Sequence, residues 1–107
     1  MASIADQLDA VRHRIADAAR AHQRVPADIC LMAASKTFPV GAVLEAVAAG
    51  QTVFGESYVQ EAVPKIERLG PARASTCWHF IGPLQSNKAK LIAQHFDWVH
   101  GVDRIKI

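Results

Sequence analysis

From Ser3 to about His22 the apolar residues fall at Ile4, Leu8, Val11, Ile15 and Ala18, in steps of three and four that line one face of a helix. Ser3 followed by Asp6 has the form of a capping box at its start. Arg12, Arg14, Arg20 and Arg24 read as its solvated side. After the Pro26-Ala27-Asp28 break, Ile29 to Ala34 is apolar without alternation, the pattern of a parallel strand covered on both faces, and it ends at Ser35-Lys36. Pro39 opens a second helix carrying Val40, Val43, Leu44 and Val47, with Gly50 placed to stop it. Thr52 to Glu56 predicts a second strand. Ser57 with Gln60 has the form of another capping box, starting a helix with Tyr58, Ala62, Ile66 and Leu69. Pro64 is expected to kink or divide that helix, because proline brings no amide hydrogen to the ladder. Cys77 to Ile81 predicts a third strand, closed by Gly82-Pro83. A helix with Leu91, Ile92 and Phe96 on its apolar side follows, and Trp98 to Val102 predicts the fourth strand.

Strands alternating with helices at this interval predict right-handed βαβ units and a parallel sheet. Two α/β architectures satisfy the pattern: a small open doubly wound sheet, or half of a (β/α)8 barrel, whose full form takes about 250 residues. Beyond the fourth strand Asp103 has the character of a helix N-cap, and Ile105 and Ile107 begin an apolar pattern that the end of the chain interrupts.

The chain has 107 residues and is 50% hydrophobic, which suffices for a packed core and excludes disorder. Its 12 Lys+Arg and 10 Asp+Glu are interspersed, with no basic block, so no nucleic-acid footprint is expected. The longest apolar run falls far short of the roughly 18 residues of a spanning helix. Asp6 and Asp9 occupy the place of a signal peptide's apolar region, and the expected compartment is the cytoplasm. Cys30 and Cys77 lie in apolar segments without redox or metal spacing, which predicts buried free thiols.

In both architectures ligands gather at the carboxyl ends of the strands. The candidates there are Ser35, Lys36 and Thr37, then Glu56 and Ser57, then Gly82 to Lys88, and finally Asp103. A lysine at the end of a buried apolar strand is expected to be partly desolvated, a setting that favours the neutral amine able to attack an aldehyde and form a Schiff base. Spacing alone accommodates, and by itself favours, an ammonium that simply extends to water. Gly82 to Lys88 has the glycine, hydroxyl and amide groups of an anion-holding loop but matches neither phosphate-binding glycine pattern, and reads as a helix N-cap loop. His79, inside a strand, reads as a hydrogen-bonded core imidazole. His95, Asp97, His100 and Asp103 cross a helix end and a strand and should point different ways, so no metal is expected. Cys77 and His79 share a strand face without the geometry of a nucleophile and its base. No catalytic residue is assigned.

Longer motifs narrow the reading. Leu31-Met32-Ala33-Ala34-Ser35-Lys36-Thr37, Phe54-Gly55-Glu56-Ser57-Tyr58-Val59-Gln60-Glu61, the run from Trp78 to Lys88 and the run from His95 to Asp103 stand in an order that resembles the YggS/PROSC family of pyridoxal phosphate homeostasis proteins. The resemblance covers essentially the whole chain but only the amino-terminal half of the family's pattern. It implies an α/β fold: the amino-terminal half of a (β/α)8 TIM-type barrel with parallel strands and an extra N-terminal helix, similar to the amino-terminal barrel of alanine racemase. Residues 1–107 would then form one partial barrel domain of about four βα units.

The resemblance further implies that Lys36 is the cofactor-binding residue, holding pyridoxal 5'-phosphate (PLP) as a Schiff base. The protein would be a carrier or regulator of intracellular PLP rather than an enzyme. The alternatives are a fragment of a PLP-dependent amino-acid racemase, or a truncated chain that needs a partner half to bind PLP. A racemase needs a second acid/base group, and Tyr58 is the only tyrosine. Two departures from the family pattern matter. Ser57 stands where the family usually has an asparagine associated with the cofactor pocket, and the late serine- and glycine-containing segments that hold the cofactor phosphate have no counterpart. Loss of that cradle removes several charge-assisted hydrogen bonds of about 1.5–3 kcal/mol each, so the expectation is retained chemistry at Lys36 with weakened affinity. The expected partners are PLP and, across the open barrel edges, either a second copy or a missing carboxyl-terminal half, with no nucleic acid and no membrane.

Overall fold

In the computed structural model, which describes residues 3–36 and 38–100, the strands β1 (Ala33–Ala34), β2 (Val53–Glu56), β3 (Cys77–Phe80) and β4 (Trp98–Val99) form one parallel sheet in the order β1-β2-β3-β4. Helix α1 (Ile4–Ala21) precedes them, and α2 (Val40–Ala48), α3 (Val59–Glu67) and α4 (Ala89–His95) make the crossovers. Each strand adds at the same edge, so the winding never reverses. A doubly wound sheet contains such a reversal and a (β/α)8 barrel does not; the sheet is the amino-terminal half of a barrel.

Crossovers of one hand collect the helices on one face of the sheet. Val43 and Ala46 of α2, Ala62 and Ile66 of α3 and Ile92 of α4 join Phe54, Trp78 and Phe80 in the buried core. The Phe54 and Trp78 rings stack at 5.0 Å, and Phe80 meets Phe96 edge-on at 5.4 Å. The alternate strand positions, aligned as Ala34, Gly55, His79 and Trp98, face the other side. Among the described residues that side is uncovered: Trp98 is 60% exposed, and Met32, Ala34 and Ile81 are exposed as well. The first strand is therefore covered on one face only, against the expectation from its unbroken apolar run. For the same reason the thiols are not buried; Cys30 is exposed and Cys77 half-buried, both free.

Local chemistry accounts for most element boundaries. The capping box of α1 forms, with Asp6 N donating to Ser3 Oγ at 3.1 Å and Ser3 N to Asp6 Oδ2 at 3.3 Å. Arg12 does not belong to the solvated side: it donates to the Ala49 carbonyl at 3.0 Å and to Gln51 Oε1 at 3.1 Å. Gln51, buried in turn, donates to the carbonyls of Leu31 at 2.7 Å and Val53 at 2.8 Å. This side-chain amide takes the place of backbone pairing before Ala33, which confines β1 to two residues of the expected six. Gly50, at φ +94°, follows the end of α2 in a conformation that a Cβ would strain.

Helix α3 corrects two expectations. Its N-cap is Tyr58 with no side-chain hydrogen bond, so the Ser57–Gln60 capping box does not form. Pro64 lies inside an undivided helix; the carbonyl deprived of a partner one turn earlier belongs to Gln60, which is exposed to water. In α4, Ile92 is buried, but Leu91 is exposed rather than on the apolar side. The expected continuation of the fourth strand through Val102, together with Asp103, Ile105 and Ile107, lies outside the described residues. No helix among the described residues is long and apolar enough to cross a membrane.

Candidate functional site at the strand ends

Hydrogen bonds prolong each strand pair past its last ladder residue and align the turns along the carboxyl rim of the sheet. Ser35 N donates to Gly55 O at 3.2 Å, Ile81 N to Glu56 O at 2.9 Å and His100 N to Phe80 O at 2.9 Å. The Ser35 carbonyl then accepts from Phe38 N at 3.1 Å, closing a turn with Lys36 at its second position. Lys36 is exposed at this rim, not partly desolvated, because the strand before it is covered only on the helix side. Thr37 lies outside the described residues.

The mouths of β2 and β3 touch at Ser57 and Gly82. A Cβ added to Gly82 would stand 2.4 Å from the Ser57 carbonyl oxygen and 2.9 Å from Ser57 Cα, backbone that cannot yield cheaply. Gly82→Ala is therefore expected to destabilise the protein by about 1–3 kcal/mol in urea unfolding. Gly41→Ala, where nothing lies within 4 Å, should cause no loss. Ser57, Tyr58, Gln60, Pro83, Gln85 and Lys88 line a cleft of about 210 Å³ beside this contact. Ser86 and Asn87 belong to a 3-10 turn, Ser86–Lys88, with no side-chain cap on it or on α4, so the segment is not the N-cap loop its composition suggests.

Ser35 and Glu56 lie below the rim, on the helix side, where they meet a residue that the sequence reading did not single out. Lys65 of α3 donates to Glu56 Oε2 at 2.9 Å, to the Ser35 carbonyl at 2.7 Å and to Glu61 Oε1 at 3.4 Å. The Ser35 hydroxyl donates to the same Glu56 oxygen, and Glu56 Oε1 is buried with no hydrogen-bond partner among the described residues. One signal pointed to Lys65. It falls three residues after Ala62 and four before Leu69, inside the apolar stripe of α3, with Glu61 one turn earlier.

On the open face His79 is no core imidazole. Its Nδ1 lies 2.9 Å from His100 Nε2, its Nε2 3.6 Å from Cys77 Sγ, and its ring stacks on Trp98 at 5.9 Å. Burial pushes the Cys77 thiol up, reinforced by the Asp97 carboxylate and opposed by Arg73, which keeps it protonated and unsuited to act as a nucleophile. Burial, followed by repulsion from His100, holds the His79 imidazole below its ordinary value, with Asp97 opposing more weakly. The unfolded chain therefore binds a proton at His79 that the folded chain refuses. Proton binding at His79 leaves stability unchanged above about pH 6.5; stability is lost as the pH falls through that value, and the loss levels off below the folded pKa. In urea unfolding at about pH 7.5 and about pH 5.5, His79→Gln should shrink the difference between the two pH values. Of the other histidines and acids, His95 contacts Glu67 at 3.1 Å, while Asp97 receives Arg73 at 3.1 Å and the Trp78 amide at 2.8 Å. These groups face different neighbours, and Asp103 lies outside the described residues.

A parallel half barrel, open on its inner face and carrying an exposed lysine at the mouth of its first strand, is the class of protein that this fold and rim define. No family model matches the chain. It is 52% identical over 110 residues to the pyridoxal phosphate homeostasis protein of Escherichia coli (strain K12), and 52% identical over 107 residues to that of Pseudomonas aeruginosa. Each alignment takes in 100% of this chain and 46% of the relative. Among solved structures, PipY of Synechococcus elongatus PCC7942 with PLP bound superposes with a TM-score of 0.78 at 40% identity, over 97% of this chain and 44% of PipY. An unknown protein from Bifidobacterium adolescentis gives 0.88 at 32% identity, over 96% of this chain and 46% of that one. The chain is similar along its whole length to pyridoxal phosphate homeostasis proteins, and it spans about half the length of the curated relatives it matches.

Proposed function

We propose that this chain binds PLP in the service of intracellular PLP homeostasis, with Lys36 as the attachment point. The observation that carries the reading is the exposed Lys36 at the mouth of β1, in a half barrel similar to PipY, whose structure has PLP bound. The chain's own groups suit the aldehyde end of the ligand: a primary amine free to meet solvent, on a turn fixed by the Ser35–Phe38 hydrogen bond, beside the open face of the sheet. Lys36 would hold PLP through its aldehyde, and the reversible carbonyl chemistry that the group supplies would thereby be kept from other cellular amines.

The role is that of a carrier in the cytoplasm and not of an enzyme. The name of the relatives supports this. Release of tritium from the α-carbon of alanine above a protein-free control would show turnover and count against it. The uncovered face bearing Met32, Ile81 and Trp98 is the side on which the other half of such a barrel closes, so residues equivalent to the remainder of the relatives are the expected cover.

The direct test is absorption. PLP added to the protein should produce the band of bound PLP, and Lys36→Ala should abolish it; a band unchanged by that substitution overturns the assignment.

A further inference from the structure

The buried pair of Glu56 and Lys65 lies on the helix side of the sheet, yet it grips the backbone from which Lys36 projects. Glu56 is 1% exposed and Lys65 6%. Ser35 is held at three points: its amide by Gly55 O at 3.2 Å, its hydroxyl on Glu56 Oε2, and its carbonyl by Lys65 Nζ at 2.7 Å. That carbonyl shares its peptide unit with the nitrogen of Lys36, and it also receives Phe38 N at 3.1 Å. An ammonium has three donors, and here each has an acceptor: Ser35 O, Glu56 Oε2 and Glu61 Oε1. Apolar side chains of similar volume would fill the same space without desolvating two ions, so stability alone is a poor reason for the pair. Its placement under this one peptide is a better one.

We propose that Lys65, oriented by Glu56, is a positioning residue for Lys36: it fixes the Ser35–Lys36 peptide so that the Lys36 amine leaves the rim in one direction. The inference rests on Lys36 being the attachment point for PLP. Lys65 acts through the Ser35 carbonyl and not by touching the ligand.

The test reads where PLP attaches. Protein treated with PLP and reduced with borohydride is digested, and the share of label on Lys36 is compared with that on Lys88 and Lys90. Glu56→Gln alone leaves Lys65 its bonds to Ser35 and Glu61, and should keep that share within about twofold of the unmutated protein. Glu56→Gln with Lys65→Met conserves volume, strands no buried charge and removes the Lys65 bond to the Ser35 carbonyl; the Lys36 share should fall by about tenfold or more as the amine loses its direction. An unchanged share in this double variant, folded by circular dichroism, overturns the positioning role. Should the double variant not fold, amide exchange in the unmutated protein decides. The Phe38 amide is expected to exchange as slowly as that of Ser35, and exchange at the rate of an open loop overturns the proposal. Absence of label on Lys36 in the unmutated protein is a different failure, one that removes the attachment reading itself.

Discussion

Lys65→Met alone should lower the free energy of unfolding by about 3–5 kcal/mol, because it leaves Glu56 as a buried carboxylate without its cation. The side chain of Glu56 is fully buried, and after the substitution its Oε2 would keep only the Ser35 hydroxyl while Oε1 has no partner among the described residues to compensate. Set against a total of about 5–15 kcal/mol for a domain, such a loss brings the protein near unfolding at room temperature. The Glu56→Gln/Lys65→Met pair removes both ions together and should be far less harmful. Urea unfolding of the two variants side by side checks this. A single variant no less stable than the double one would mean that the pair is not the buried ion pair described.

Trp78→Ala should have an effect of the same order, about 3–5 kcal/mol, for an unrelated reason. Trp78 is wholly buried, stacks on Phe54 and donates through Nε1 to Thr76 Oγ1 at 3.0 Å. Truncation opens a cavity at the centre of the sheet's covered face, bounded by strands that cannot close on it. Trp78→Phe retains most of the packing and should lose only about 1–3 kcal/mol, including the orphaned hydrogen bond. The remaining tryptophan, Trp98, is 60% exposed and reports little of this burial, so the losses are better read from circular dichroism than from fluorescence.

Much of this architecture is written locally. The capping box at Ser3, the turn at Gly50 and the strands around Phe54 and Trp78 follow from chemistry within a few residues, and the ordered motifs pointed to the pyridoxal phosphate homeostasis proteins to which the chain is similar. What was not legible depends on partners distant in sequence. The apolar run from Ile29 to Ala34 lacks the alternation that distinguishes a covered face from an open one, so neither the exposure of Cys30 nor that of Lys36 could be read from it. Ser57 has the side chain of an N-cap, but the helix begins two residues later at Val59, and the Ser57 backbone is pressed against Gly82. Gln51 and Arg12 replace backbone pairing at the start of β1, a substitution that no periodicity encodes. Lys65 sat in plain view on an apolar stripe. Its acceptors, Ser35 and Glu56, come from two other elements and meet it only in the fold.

Attachment of PLP to Lys36 is read from a map of borohydride-fixed label across the unmutated chain. One label per chain, on the peptide containing Lys36, is the predicted result. Label spread over Lys88 and Lys90 with none enriched on Lys36 would contradict it.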